Sequence, residues 1–453
     1  MTHALPAPLD RRRSGVLLHL SALARPLGAG GRAFVDWLAA AGFSVWQVLP
    51  LGPTGADGSP YWVRSDAAGN AAFIDHEETS HAGAAEYAAF LHACRDWLED
   101  YACFELLSAR YGGEPWWTWP PAQRDRDRAA LERVRAESAP ELEQIKQAQF
   151  VFHRQWQRLK EYARARGVHL FGDLPFYVAP DSAETWSRRE QFQLDATGRP
   201  RAVAGVPPDY FSDAGQLWGN PLYDWDAMRR DGFVFWRTRL KRQLARFELL
   251  RIDHFRALAA HWAVPLPAVD ARGGSWRHTP GRALLATLRE ECGPLPIVAE
   301  DLGVITPDVE DLRRGFGLPG MRVLQFGFDG SGDSPHLPHN HERDSIVYTG
   351  THDNDTTLGW YTSLDAQTLR HVNFLLRLEP GAMPEALVRA ALGSVGCLAV
   401  LPVQDILALG SEARFNTPGT TSGNWSWRLP PEALSGELAR HYALLNRIYG
   451  RHP

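Results

Sequence analysis

Eight short apolar runs recur along the chain, bounded by Gly, Pro or charged residues, with helix-patterned segments between them. They are Gly15–Leu20 (GVLLHL), Ser44–Leu51 (SVWQVLPL), Val168–Val178 (VHLFGDLPFYV), Leu249–Phe255 (LLRIDHF), Leu295–Asp301 (LPIVAED), Met321–Phe328 (MRVLQFGF), Ser345–Asp353 (SIVYTGTHD) and Leu398–Asp405 (LAVLPVQD). After the first run, Phe34, Trp37, Leu38 and Ala41 share one helical face. Near-continuous apolar strands alternating with helices predict a parallel sheet covered on both faces. The number of runs predicts an α/β fold of the closed (β/α)8 TIM-barrel type, with an open doubly wound sheet as the alternative. Two intervals are long: Gly52–Gly167 and Ala179–Glu248. Both are read as inserted helical subdomains at the C-terminal face of the barrel, within a single domain spanning 1–453. A helical tail, Pro431–Gly450, closes the chain.

In such a barrel the residues at the carboxyl ends of strands face the functional site. The fourth run ends in Arg251-Ile252-Asp253-His254, the fifth in Glu300-Asp301 and the seventh in His352-Asp353, while the third carries Asp173. Side chains alternate along a strand, so Arg251 and Asp253 project to the same side. The arginine favours the ionised carboxylate, which makes Asp253 a candidate nucleophile. The bland alternative is a structural Arg–Asp pair. Carboxyls brought together shift one another's pKa, so one stays protonated as an acid while another stays ionised. Glycoside cleavage uses that division. A ring of acids could instead hold Mg²⁺, although Arg251 would compete with the metal. His336, His339 and His341 could bind Zn²⁺, but Pro335 and Pro338 predict an irregular loop there. No metal or other cofactor is expected.

Composition narrows the classes. Of 453 residues 44% are hydrophobic and 22% charged, with a net charge of −5, which suits a globular domain. No basic stripe with interleaved aromatics is present, so nucleic acid is an unexpected partner. The lysines are Lys146, Lys160 and Lys241; none ends an apolar run, which leaves Schiff-base chemistry without a candidate. Cys94, Cys103, Cys292 and Cys397 have neither metal-like nor disulfide-framework spacing. Val16–Leu20 is too short for a signal peptide and no run reaches membrane-spanning length, so a cytosolic protein without membrane attachment is expected. The 17 Trp, including Trp116, Trp117 and Trp119, hint at stacking on sugar rings, although core packing accounts for most aromatics.

Longer strings then carry a resemblance. WQVLPLGPTG (Trp46–Gly55), GVPPDYFSDAGQLWGNPLYDW (Gly205–Trp225), RIDHFR (Arg251–Arg256), AEDLG (Ala299–Gly303), YTGTHDNDTTLGWY (Tyr348–Tyr361), ARFNTPGT (Ala413–Thr420) and NWSWR (Asn424–Arg428) stand in this order. From about Ser14 to Arg428 the chain resembles the 4-α-glucanotransferases of glycoside hydrolase family 77. The resemblance implies a retaining, double-displacement transfer of α-1,4-glucan segments between malto-oligosaccharides, α-glucans and glucose. It implies Asp253 as nucleophile, Glu300 as acid/base and Asp353 as the group holding the sugar's 2- and 3-hydroxyls. It further implies that Ser59, Tyr61, Asp173, Gln216, Trp218, Arg251, His352 and Asn416 line the substrate cleft. A monomer or weak homodimer is expected.

A covered cleft favours a sugar acceptor over water, and the Gly205–Asn220 loop, with Pro207, Pro208, Tyr210, Phe211 and Trp218, is a candidate cover. Thr54–Ala71 departs from the family string: Ala56 replaces a tyrosine associated with a secondary glucan contact, and Trp62 replaces a glutamine. The departure argues against a preference for very long or cyclising glucans. Rival functions are an α-glucan hydrolase with the same acids and an inactive glucan-binding protein.

Overall fold

The computed structural model describes residue 5 and residues 7–78, 83–208, 213–379, 381–420 and 422–453. Among these residues the strands in chain order are β1 (Arg13–Leu17), β2 (Val45–Gln47), β3 (His169–Leu174), β4 (Ala202–Val206), β5 (Gln216–Pro221), β6 (Leu249–Ile252), β7 (Ala260–Pro265), β8 (Ser275–His278), β9 (Ile297–Ala299), β10 (Gly320–Val323), β11 (Ser345–Tyr348) and β12 (Leu398–Pro402). The main sheet is parallel and runs β10-β11-β12-β1-β2-β3-β6-β9. Its two ends meet: Ala299 N–H donates to Pro319 O at 2.9 Å, and Met321 N–H to the Asp301 carboxylate at 2.6 Å. This is the expected (β/α)8 barrel.

Each of the eight apolar runs contains one barrel strand. Every residue of β1, β6, β10, β11 and β12 is buried. The inner face fills the barrel and the outer face meets helices, which leaves no polar alternation to read. The strands stop several residues before the runs do, because the carboxyl-terminal ends turn into loops that are themselves partly buried. Gly172 in β3 shows how tight the outer packing is: a β-carbon there would overlap the Phe247 ring. The helix Ala29–Ala40 joins β1 to β2 and packs against the closing helix Gly436–Ile448, which covers the barrel after β12.

The interval between β2 and β3 contains the helices Ala84–Ala93, Leu98–Arg110 and Arg128–Glu137, then a 27-residue helix, Ala139–Ala165, that leads into β3. Trp116 and Trp119 are buried there, with Trp119 5.6 Å from Phe104 and 5.8 Å from Trp186. The tryptophan cluster is therefore core and not a sugar platform. The interval after β3 contributes β4 and β5, which pair with β7 and β8 from the β6–β9 connection in an antiparallel sheet ordered β5-β4-β7-β8. The hydrophobic pattern does not reveal β8, because all four of its residues are exposed. No helix among the described residues is long and apolar enough to cross a membrane.

Candidate active site

The carboxylates converge because neighbouring strands are in register. Asp173 lies opposite Arg251, and Ile252 opposite Ala299, so Asp253 and Glu300 leave the sheet side by side. The ladder continues one step beyond the strands: Asp253 N–H donates to Leu174 O at 3.0 Å and Glu300 N–H to Ile252 O at 3.1 Å. His254 then takes left-handed backbone angles, φ 53° and ψ 46°. For a bulky residue this costs on the order of 1 kcal/mol or more and marks an imposed geometry. The turn brings His254 N–H to the Glu300 carboxylate at 2.7 Å, while Leu302 N–H holds the other oxygen at 2.9 Å.

Arg251 connects the pair to Asp173. One guanidinium nitrogen donates to both oxygens of Asp173, at 2.8 and 2.7 Å, and another donates to Asp253 at 2.8 Å. Tyr61 O–H adds a third hydrogen bond to Asp173 at 2.8 Å. The Asp173 side chain is 0% exposed, whereas Asp253 is 31% and Asp353 46% exposed, so the last two are accessible to a ligand and Asp173 serves as support. Asp353 approaches from β11. Its carboxylate accepts from Asn416 Nδ2 at 2.6 Å and lies 3.3 Å from His352 Nε2, while Arg414 donates to its backbone carbonyl at 2.7 Å. Asp301, adjacent to Glu300, turns away from the cleft and faces Arg313 and Arg322 at the barrel seam.

Arg251 alone does not set the charge of Asp253, contrary to the expectation from sequence. Burial is the larger influence and raises the Asp253 pKa, with Arg251 the strongest opposing group. Burial also raises Glu300, up to about 7, again against Arg251 and with the Asp253 charge pushing the same way as burial. Of the two, Asp253 alone has a cation in hydrogen-bond contact among the described residues, which favours its charged form, while Glu300 is raised with no such contact. That is the asymmetry acid catalysis beside a nucleophile requires. Burial keeps the Tyr61 hydroxyl protonated as a donor and lowers His254 to about 3, leaving its imidazole neutral.

Two aromatic groups flank the carboxylates. On one side Tyr61 stacks on His352 at 5.1 Å and 17°, and Trp425 lies 6.1 Å from both rings. On the other, Trp218 meets His254 edge-on at 4.6 Å and Tyr177 at 6.4 Å. Trp218 also donates to the exposed Gln216 side chain at 3.0 Å. Ser59 receives the Tyr61 N–H at 3.3 Å. All the residues expected from sequence at the cleft thus lie around the carboxylates or on β5. Trp425, Tyr177 and the His254 ring were not singled out, although NWSWR and RIDHFR contain two of them. Tyr210 and Phe211 of the expected cover lie outside the described residues. His336 accepts from Val323 N–H at 3.1 Å, and His341 lies 2.7 Å from Ser394 Oγ, so these histidines hold their loop. Among the described residues no cluster of His, Cys, Asp or Glu could hold a metal ion.

Fold and site together define a (β/α)8-barrel protein with paired carboxyls at the carboxyl ends of adjacent strands. The pattern of glycoside hydrolase family 77, described as 4-alpha-glucanotransferase, matches residues 18–86 and 76–434, and the chain belongs to that family. It is 45% identical over 482 residues to a 4-alpha-glucanotransferase of Thermus thermophilus, covering 94% of this chain and 96% of that one. A chloroplastic/amyloplastic 4-alpha-glucanotransferase of Solanum tuberosum is 40% identical, with 98% and 87% covered. The solved structure of amylomaltase from Streptococcus agalactiae in complex with acarbose matches with a TM-score of 0.93 at 33% identity, covering 98% of this chain and all of that chain.

Proposed function

We propose that this chain moves α-1,4-glucan segments from a donor malto-oligosaccharide to the 4-hydroxyl of an acceptor glucan or glucose, with retention of configuration. Asp253 attacks the anomeric carbon while Glu300 gives its proton to the departing glycosidic oxygen. The bond to the leaving sugar breaks and a glucosyl–Asp253 ester forms. In the second half the ionised Glu300 takes the proton of the acceptor hydroxyl, whose oxygen displaces Asp253. Asp353, oriented by Asn416 and His352, holds the hydroxyls of the distorted sugar. Arg251 stabilises Asp253 as leaving group, and Tyr61 with Asp173 fixes Arg251. Ser59, Gln216 and Trp218 bind the sugars on either side of the scissile bond.

The observation that carries this reading is the hydrogen bond from His254 N–H to Glu300, which places the acid/base one residue from the nucleophile. Retaining enzymes need these carboxyls only ~5 Å apart, and adjacent strands provide that closeness. The segments at about 52–167 and 179–248 act as cleft walls within one catalytic domain. We place the protein in the cytosol as a monomer or weak homodimer. Incubation with maltotriose tests the activity: a ladder of longer and shorter oligosaccharides plus glucose is expected. Shorter products alone, with reducing ends rising steadily, would assign the same acids to a hydrolase, and no turnover would assign the chain to glucan binding.

A further inference from the structure

Tyr61 is followed by a second aromatic residue that the mechanism above leaves unused. Trp62 lies in a loop closed by the antiparallel bridge between Thr54 and Val63 and by the bond from Arg64 N–H to Pro53 O at 2.8 Å. It is half-buried, and its indole spans two glycines. Cδ1 lies 4.0 Å from the β-carbon position of Gly55 in its own loop. Cη2, at the far end of the ring, lies 3.6 Å from the β-carbon position of Gly219 in β5. Gly219 has φ 82°, a conformation that favours glycine, so the strand reaches the ring with bare backbone. Trp218 and Asn220 flank it. Trp218 faces His254, and Asn220 ties the strand to Val178 O at 2.9 Å.

Trp62 therefore stands between the two aromatic groups of the cleft: it follows Tyr61, which meets His352 and Trp425, and its ring end lies against Gly219, the residue after Trp218 in β5. We propose that Trp62 is a positioning and specificity-determining residue, which seats β5 against the Tyr61 loop so that a sugar, and not water, accepts the glucosyl group. The proposal rests on the transfer reading above. Loosening β5 weakens sugar binding in both halves of the reaction, but it changes the outcome only in the second, where a sugar hydroxyl competes with water and the acceptor is held by binding energy while water is excluded by shape.

The test is the ratio of new reducing ends to total donor bonds cleaved, with maltotriose as donor and acceptor. Each hydrolysis adds one reducing end and each transfer adds none. Because both quantities come from one reaction, a general loss of activity cancels. In Trp62→Ala the hydrolytic fraction should rise about fivefold, and the acceptor KM for glucose should rise with it, as expected for loss of one aromatic contact. Trp62→Phe shortens the ring and lifts it from Gly219 without emptying the site. It should shift the ratio in the same direction by less, and it keeps the test available if Trp62→Ala folds poorly. An unchanged ratio and acceptor KM in the folded variants would overturn the proposal. Failure of the unaltered protein to produce any ladder would instead overturn the transfer reading itself.

Discussion

The Glu300 carboxylate accepts the backbone N–H of His254 at 2.7 Å, and His254 is the residue next to Asp253. The proposed acid/base is thus fixed by main chain of the segment that carries the proposed nucleophile. Two backbone donors hold Glu300 without any cation in hydrogen-bond contact, which lets burial raise it to about 7.

Replacing Glu300 by Gln should lower kcat on maltotriose by a factor of ~10³ or more, because general acid and base help are lost in both halves of the reaction. A donor with a self-sufficient leaving group, such as α-glucosyl fluoride, should still load Asp253. The unaltered protein should lose acid-dependent rate as pH rises through about 7, where Glu300 gives up its proton, and this limb should vanish in the variant. Stability has a related sign. A carboxyl whose pKa is raised in the folded state binds protons more tightly there, so its contribution falls as pH rises from the unfolded value of about 4.3 to the folded value. Glu300→Gln should therefore gain Tm relative to the parent more at pH 8 than at pH 4.5. Equal Tm differences at the two values would contradict the raised pKa.

Arg251→Lys keeps a charge but cannot serve Asp173 and Asp253 together, since a single ammonium replaces a planar fork. Arg251 is the strongest group opposing the rise in the Asp253 pKa. With it weakened, Asp253 should hold its proton to higher pH, and the acidic limb of kcat/KM should move upward. Arg251→Ala leaves two carboxyls without their cation and should cost about 3–5 kcal/mol of stability as well as nearly all activity. A pH–rate profile of the lysine variant and a thermal melt of the alanine variant check the two effects.

Tyr61 contributes two separable interactions, a hydrogen bond to Asp173 and a ring stacked on His352. Tyr61→Phe removes only the first. Loss of a donor to a buried carboxyl group is worth about 1–3 kcal/mol, so kcat/KM should fall roughly 5- to 150-fold. Tyr61→Ala should fall further by removing the stack. Equal losses in the two variants would place the whole effect in the hydroxyl, and an unaltered Tyr61→Phe would place it in the ring.

The barrel was legible in the sequence because strands buried on both faces leave runs of apolar residues, and all eight runs contain a strand. The acids were legible because the same runs end in Asp253, Glu300 and Asp353. What escaped depends on geometry the runs do not record. Asp301 looks like Glu300 in the string AED, and only the pleat sends one to the cleft and the other to Arg313 and Arg322. Strand β8 escaped because an exposed edge strand such as Ser275–His278 needs no core-facing pattern, while β7 (Ala260–Pro265) is apolar and largely buried but follows the fourth run too closely to stand out as a run of its own. The Trp116–Trp119 cluster misled in the opposite direction, since a loop-like string was buried by an inserted helical layer.

Arg451 offers a test of stability apart from chemistry. It is 0% exposed at the amino-terminal end of the barrel, away from the carboxylates. Its guanidinium donates to Leu392 O, Arg13 O and Ser394 O at 2.7 Å each and to Gly396 O at 3.0 Å, tying the chain's end to β1 and to the segment before β12. Burial, and then the neighbouring Arg12 charge, lower its pKa to about 9. Arg12 also donates to Leu392 O at 2.9 Å and to Ser394 O at 2.8 Å, so Arg451→Met takes the guanidinium donor chiefly from Arg13 O and Gly396 O, at roughly 1–3 kcal/mol for each carbonyl that water cannot reach. The variant should unfold more easily, by about 2 kcal/mol or more, in a urea titration. Its kcat/KM on maltotriose, measured well below the melt, should stay within about twofold of the parent, because amino-terminal-face residues of a barrel support the fold and not the reaction. A large loss of kcat/KM in the folded variant would mean that the two ends of the barrel are mechanically coupled.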